Sequence, residues 1–348
     1  MDILYIGVQS GTSYHRAKAL ERAGHEVTVF SPRRQVVSLV PGLSESGLKR
    51  WIRFTGSLFL ERLFLRTIRR SPVWRESFDL VHVDDIAVAG PSFVSAMKQR
   101  FGGISCYVID DPFGERDGPK WRLFLNAVPE YDLITVIRKP NVQEAYDYGA
   151  TNVLRTFRSA DEEVHAPIDM TPEERENWRS DVIFVGTWFP ERGPFMKRLV
   201  DRGVPLTIRG DHWKKADEWS TLKQYWEGPA VYGKDYTKAL QSAKICLGLL
   251  SHENRDLHTT RSLEIPYIGS LFCAERTKEH LDLYEEGQEA VFWDDADECT
   301  DICFELLDDK ERRQRTATQG RQRCIQNGYL NENIMTEIVE RTSAVAPA

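Results

Sequence analysis

Short apolar runs rich in β-branched and aromatic residues alternate with amphipathic stretches along almost the whole chain, and this alternation limits the fold most. "DILYIGV", "EVTVFS", "DLVHVDD", "ISCYVIDD" and "DLITVI" read as strands in the first half, and "DVIFVGT", "PLTIRG", "KICLGLL", "GSLFCAE" and "AVFW" in the second. Strands that are apolar throughout are buried on both faces, and the helical stretches between most of them supply the cover, so parallel sheets are expected. The alternation stops and restarts between about Arg155 and Asp181, where "SADEEVHAPIDMTPEERENWRSD" is polar and charged and carries two prolines. A chain of 348 residues interrupted in this way is expected to form two α/β domains. Their expected limits are 1–168 and 169–329, with a C-terminal helix over about 330–348 that packs back on the first and frays after about Thr342.

Composition excludes several classes. With 41% hydrophobic and 28% charged residues the chain is neither disordered nor fibrous. Its formal charge of −7 argues against a nucleic-acid partner. No run approaches the roughly 20 apolar residues of a membrane span, and the chain opens directly on a strand without a charged-then-apolar leader. The 6 cysteines are scattered with no Cys-x-x-Cys pair; Cys299 and Cys303, four apart, share a helix face. They read as reduced thiols, which places the protein in the cytoplasm. One stretch, "GLKRWIRFTGSLFLERLFLRTIRR" (47–70), is basic and amphipathic. It reads either as a surface helix packed on a sheet or as one touching an anionic membrane or a lipid-linked substrate.

Ligands of doubly wound domains bind outside the carboxyl ends of the strands. After the first strand, "GVQSGTSYHR" supplies a small, polar loop opening a helix. Gly7 and Gly11 lack the third glycine of a dinucleotide fingerprint, and the next strand ends in Ser31 and Arg33 rather than an acid, so a nicotinamide cofactor is not expected. Asp84 and Asp85 close the third strand and Asp110 and Asp111 the fourth. Carboxylates there suit sugar hydroxyls or accept a proton from an attacking hydroxyl; acids also cap turns at such places.

In the second half, "FVGTWFPERG" carries Gly186, Thr187 and Arg192, and "LTIRGDHW" carries Arg209 and Gly210, both suited to a phosphate. "WDDAD" holds an Asp-x-Asp, read as a helix start rather than a metal site. "DLHTTRSLEIPYIGS" (256–270) crowds Asp256, His258, Thr259, Thr260, Arg261 and Glu264 ahead of an apolar segment. A helix beginning near Thr259 or Thr260 gathers amides, hydroxyls and Arg261 around one point, which suits a diphosphate, with Glu264 accepting from ribose hydroxyls.

This stretch resembles the donor-binding element of CgeB-like, spore-maturation-type GT-B glycosyltransferases, whose Arg-x-x-Glu-x-x-x-x-Gly core is matched by Arg261, Glu264 and Gly269. Of the Glu-x7-Glu of retaining GT-B enzymes, Asp256 stands at the first acid. "VIDDPFG", "YDLITVIRKPNVQEAYDYGATNV", "SADEEVHAP" and "ERTKEHLDLYEEGQEAVFW" extend the likeness over most of residues 105 to 300. The resemblance implies two Rossmann-like, doubly wound parallel-sheet domains facing a central cleft. It implies a metal-independent hexosyltransferase whose donor is a nucleotide-diphosphate sugar, UDP-sugar favoured, with no further cofactor. Gly186, Thr187, Arg209, Arg261 and Glu264 would hold the donor; Gly11, Thr12, Ser13, His15, Arg16, Asp85 and Asp110 would face a glycan, protein or lipid-linked acceptor. Asp111 or Asp84 is the candidate base if the enzyme inverts; the Asp256-x7-Glu264 echo favours retention, which needs none. A nucleotide-sugar epimerase or hydrolase would turn over without acceptor, and a binding protein would hold donor without turnover.

Overall fold

The computed structural model describes residues 1–57, 59–114 and 116–346. They form two compact units. The first comprises Met1–Phe157, Glu253–Arg255 and the segment from Asn331; the second comprises Arg158–His252 and Asp256–Leu330.

Unit 1 holds six strands: β1 (Asp2–Ile6), β2 (Glu26–Phe30), β3 (Leu80–Val83), β4 (Gly103–Val108), β5 (Leu133–Val136) and β6 (Val153–Arg155), in the order β2-β1-β3-β4-β5-β6. Every pairing is parallel. All residues of β3, β4 and β5 are buried, as strands covered on both faces must be. β6 was not expected from the sequence: three half-buried residues at the sheet edge are too few to show a period. The final helix, Asn331–Val345, packs on β4, β5 and the helix Gly11–Arg22. It continues past Thr342, which is fully buried, so the expected fraying there does not occur.

Unit 2 holds β7 (Ser180–Val185), β8 (Leu206–Arg209), β9 (Ala243–Gly248), β10 (Phe272–Glu275) and β11 (Val291–Trp293), in the order β11-β10-β9-β7-β8, again parallel throughout. Its core gathers Val182, Phe184, Ile208, Ile245, Leu247 and Cys273. All six cysteines of the protein are buried free thiols. The polar segment expected to link the domains is instead folded into unit 2. The Arg158 amide donates to His258 Nε2 (2.9 Å), Thr237 Oγ1 to the Val164 carbonyl (3.0 Å), and the Ile168 amide to Gln241 Oε1 (2.8 Å). The division therefore falls at Phe157 rather than 168.

In each unit the chain runs outward to the second strand and then returns past the first, from β2 across β1 to β3, and from β8 across β7 to β9. The loops leaving β1 and β3 diverge, as do those leaving β7 and β9, and each divergence opens a crevice at the carboxyl ends.

The 47–70 stretch is two helices, Glu45–Thr55 and Leu60–Arg70, rather than one. Gly56, Ser57 and Phe59 all take left-handed backbone conformations (φ 61°, 61° and 66°), which no continuous right-handed helix accommodates.

Candidate functional site

A cavity of about 500 Å³ lies at the carboxyl ends of β1, β3 and β4 in unit 1. Thr12, Ser13 and Arg16 line it from the helix that follows β1, Asp84 and Asp85 from the end of β3, and Asp110 from beyond β4. Ser13 is fixed in this loop: its hydroxyl accepts from the Val8 amide (3.1 Å) and its carbonyl from the Tyr5 hydroxyl (2.9 Å). Gly7 is required beneath it, since a Cβ there would sit 2.4 Å from the Tyr5 ring. Gly11 opens the helix and His15 follows, but neither lines the cavity. The sequence reading did not place Lys49 and Arg53 of the basic stretch at this cavity, and it missed Lys120 and Trp121, which carry no local motif.

The acids at these strand ends are committed to cations. Arg16 Nη2 lies 2.6 Å from Asp84 Oδ1, with both side chains buried, and Arg33 grips both Asp85 oxygens at 2.5 Å. Lys120 lies 3.2 Å from Asp110. Asp111 accepts from Arg255 Nε (2.6 Å) and Nη2 (2.8 Å), from Asn141 Nδ2 (2.9 Å) and from the Gly114 amide (3.2 Å), all within unit 1. Burial disfavours the charged form of Asp84 and Asp111, but Arg16 in the one case and the Arg255 and Asn141 hydrogen bonds in the other outweigh it and hold both carboxyls below their ordinary range. A carboxylate stabilised in this way is a weak proton acceptor, and protonating Asp84 would strip the buried Arg16 of its partner. Asp84 and Asp111, expected as candidate bases if the enzyme inverts, are thus each held ionised by an arginine partner within unit 1.

In unit 2 the crevice at β7 and β9 is spanned by Arg192. Its guanidinium donates to the carbonyls of Thr187 (2.6 Å), Leu249 (3.3 Å) and Leu250 (2.8 Å), so it fastens the two diverging loops together and is not left open to a phosphate as expected. Gly186 and Gly210 meet backbone to backbone. The Gly186 amide donates to the Arg209 carbonyl (2.9 Å), and the Gly186 carbonyl accepts from Trp213 Nε1 (2.9 Å). Arg209 itself pairs with Glu227 (2.8 Å) and lies over the Trp178 ring.

The helix after β9 runs Arg261–Ile268, opening one residue beyond the expected threonines. The amides of Ser262, Leu263 and Glu264 are taken by the carbonyls of Thr259 and Thr260, and the Thr259 amide by Ser262 Oγ, so at the helix mouth the amides of Thr260 and Arg261 have no partner among the described residues. The cradle is therefore narrower than expected. Glu264 is buried in the first turn: Tyr236 Oη donates to Oε2 (2.6 Å) and His165 Nε2 lies 3.6 Å from Oε1. Desolvation raises its proton affinity, but His165, Arg261 and Tyr236 together hold the carboxyl below its usual value, so it is an ionised acceptor. Arg261 projects over the Tyr236 ring and donates to Thr260 Oγ1 (3.2 Å). Asp256, buried on the preceding loop, lies 3.7 Å from Arg158. His258 is locked: Nδ1 faces Glu279 (2.5 Å) and Nε2 accepts from the Arg158 amide, so neither ring nitrogen is left for a donor. Arg158, His165, Tyr236 and Glu279 complete the cluster and were not singled out from sequence; His165 stands in "SADEEVHAP", where a histidine amid acids was the only signal. Among the described residues no group of three His, Cys, Asp or Glu is arranged to hold a metal ion. In "WDDAD", Asp295 caps the helix Ala296–Asp308, accepting from the amides of Asp297 and Glu298.

Two buried histidines make a stability prediction. Desolvation depresses His82 and His280 to about 4 each, below the unfolded value of roughly 6.5. Between those values the unfolded chain binds protons that the folded chain refuses, so stability falls as pH drops through this window. The urea midpoint should be lower at pH 5 than at pH 7, and His82→Phe should flatten part of that slope; identical slopes in variant and parent would contradict the assignment.

Two parallel doubly wound units, each with its switch-point crevice, define the GT-B fold. Solved structures of that fold align over nearly the full chain. Sucrose-phosphate synthase from Thermosynechococcus elongatus has a TM-score of 0.68 at 11% identity, covering 98% of each chain. HepE from Anabaena, solved in complex with UDP-glucose, has a TM-score of 0.64 at 11% identity over 99% of this chain and 100% of that one. The α,α-trehalose 6-phosphate synthase of Burkholderia multivorans has a TM-score of 0.64 at 11% identity, covering 99% and 98%. Residues 192–340, a stretch that includes the Arg261–Ile268 helix, match the family model described as "Glycosyl transferase-like". No curated protein matches the chain in sequence.

Proposed function

We propose that the protein is a glycosyltransferase of the CgeB-like type that takes a nucleotide-diphosphate sugar in unit 2 and an acceptor in the unit 1 cavity. The observation that carries this reading is Glu264. A buried carboxylate is costly unless something uses its charge, and this one is kept ionised at the mouth of a helix, beside Arg261 and two amides with no partner among the described residues. A ribose diol donating to the carboxylate, with the diphosphate on the amides and Arg261, satisfies all of them at once. UDP is the favoured nucleotide, since HepE binds UDP-glucose on the same fold.

The pairing of Asp84, Asp85 and Asp111 with arginines favours a retaining reaction. There the departing diphosphate oxygen itself takes the proton from the acceptor hydroxyl as the bond from C1 to the diphosphate breaks and that to the acceptor oxygen forms on the same face. The helix-mouth amides and Arg261 stabilise the charge developing on the leaving group.

Thermal unfolding in the presence of UDP, GDP and dTDP and their sugars tests this. One nucleotide family should raise the melting temperature, the gain reaching about 2.7 kcal/mol at a hundredfold excess over Kd. No shift with any of them at millimolar concentration would remove the donor site and with it the transferase reading.

A further inference from the structure

Between residues 45 and 70 the chain carries seven cations against two acids, although its net charge is −7. One of those acids is turned inward: Glu61 Oε1 accepts from the amides of Ser92 (2.7 Å) and Phe93 (3.2 Å), capping the neighbouring helix Pro91–Phe101. Lys49, Arg50, Arg53, Arg62, Arg66 and Arg70 are exposed and form no ion pair with another described residue. The exposed surface of this region is thus strongly positive on an acidic protein, with Lys49 and Arg53 at its boundary with the cavity.

The same region displays aromatics that a monomer in water gains nothing by displaying. On the helix Glu45–Thr55, Leu48 and Ile52 point into the core, while Trp51 (40% exposed) and Phe54 (70%) share the outer face with Arg50. At the turn that follows, Phe59 is 83% exposed and held at φ 66°, a conformation costly for a bulky side chain. The turn is fixed from beneath. A Cβ on Gly56 would lie 2.2 Å from the Pro119 carbonyl, and the buried Ser57 hydroxyl donates to the Ala87 carbonyl (3.1 Å). The inner side of the turn is therefore pinned to the body of unit 1 while its outer side presents a phenyl ring to solvent. Aromatics at a tip, ringed by arginines, are what an anionic bilayer recognises: the rings enter the acyl boundary and the guanidiniums meet the headgroup phosphates.

We propose that the Trp51–Phe54–Phe59 tip, with the flanking arginines, docks the protein on anionic membrane surfaces as a peripheral protein. No described helix is long and apolar enough to cross a membrane, so the contact is interfacial. Charge complementarity selects a lipid surface over a second copy of this chain, whose own patch carries the same positive charge.

The test is flotation of the full-length protein with phosphatidylcholine vesicles, with and without phosphatidylglycerol. Binding should require the anionic lipid and weaken with added salt. Phe54→Ser/Phe59→Ser should reduce it at least about tenfold, and Arg62→Glu/Arg66→Glu should do the same, without loss of melting temperature since all four side chains are exposed. Absence of flotation with anionic vesicles would overturn the proposal. So would a wild-type dimer, seen by sedimentation, that Phe54→Ser/Phe59→Ser dissociates, since the patch would then be a self-association face. Nucleotide stabilisation of the same samples reads the donor site independently.

Discussion

Glu264→Gln should weaken nucleotide-diphosphate binding by about two orders of magnitude while leaving the fold nearly as stable. The substitution keeps the shape of the side chain and an oxygen for the Tyr236 hydroxyl, which now donates at 2.6 Å. What it removes is the charge, and hydrogen bonds to a charged group are worth about 1.5–3 kcal/mol each against roughly 1 for neutral pairs. Two ribose hydroxyls losing that difference account for the expected change. Titration calorimetry with UDP measures it. An unchanged Kd would show that Glu264 merely balances Arg261 and His165 inside the fold, and the donor would have to be placed elsewhere.

Gly210→Ala should cost at least about 3 kcal/mol of stability and abolish nucleotide binding with it. Gly210 has φ 153°, and a Cβ there would lie 1.9 Å from the carbonyl oxygen of Gly186 and 2.6 Å from its carbonyl carbon. Both are backbone atoms, so no side-chain rotation relieves the clash. The end of β8 would have to move away from the end of β7, breaking the bond from the Gly186 amide to the Arg209 carbonyl that steadies the Gly186–Thr187 loop on which Arg192 is fastened. Gly203→Ala is the control: it too has positive φ (90°) but meets nothing within 4 Å, so only the backbone strain of about 1 kcal/mol is expected. Urea unfolding of both variants separates the two effects. Equal, small losses would mean that β7 and β8 do not approach at their ends as described.

Gly186 and Gly210 could be picked from the sequence because each follows a strand directly, and Arg261 and Glu264 because they open the helix beyond the β9 loop, where the fold class leads one to look for a ligand. Their partners could not. His165 lies far upstream of Glu264 in a segment whose polarity suggested solvent, and Tyr236 looks like any core aromatic until its hydroxyl is seen on the carboxylate. Arg192 and His258 looked equally suited to a ligand, yet the fold uses every polar edge of His258 and three donations from Arg192 to hold its own loops. In the same way Asp84 and Asp111 stood at strand ends as free acids, and only long-range packing supplied Arg16 and Arg255 to claim them.

The sequence by itself determined the two parallel sheets, ten of the eleven described strands and the positions of the loops at their carboxyl ends. These follow from hydrophobic period and turn chemistry, which are local and repeat along the chain. Tertiary structure alone decided where the first unit ends, why the basic stretch breaks at Gly56, and which charges are paired inside the fold. Those outcomes depend on groups far apart in sequence competing for the same hydrogen bonds, and no local pattern records which partner wins.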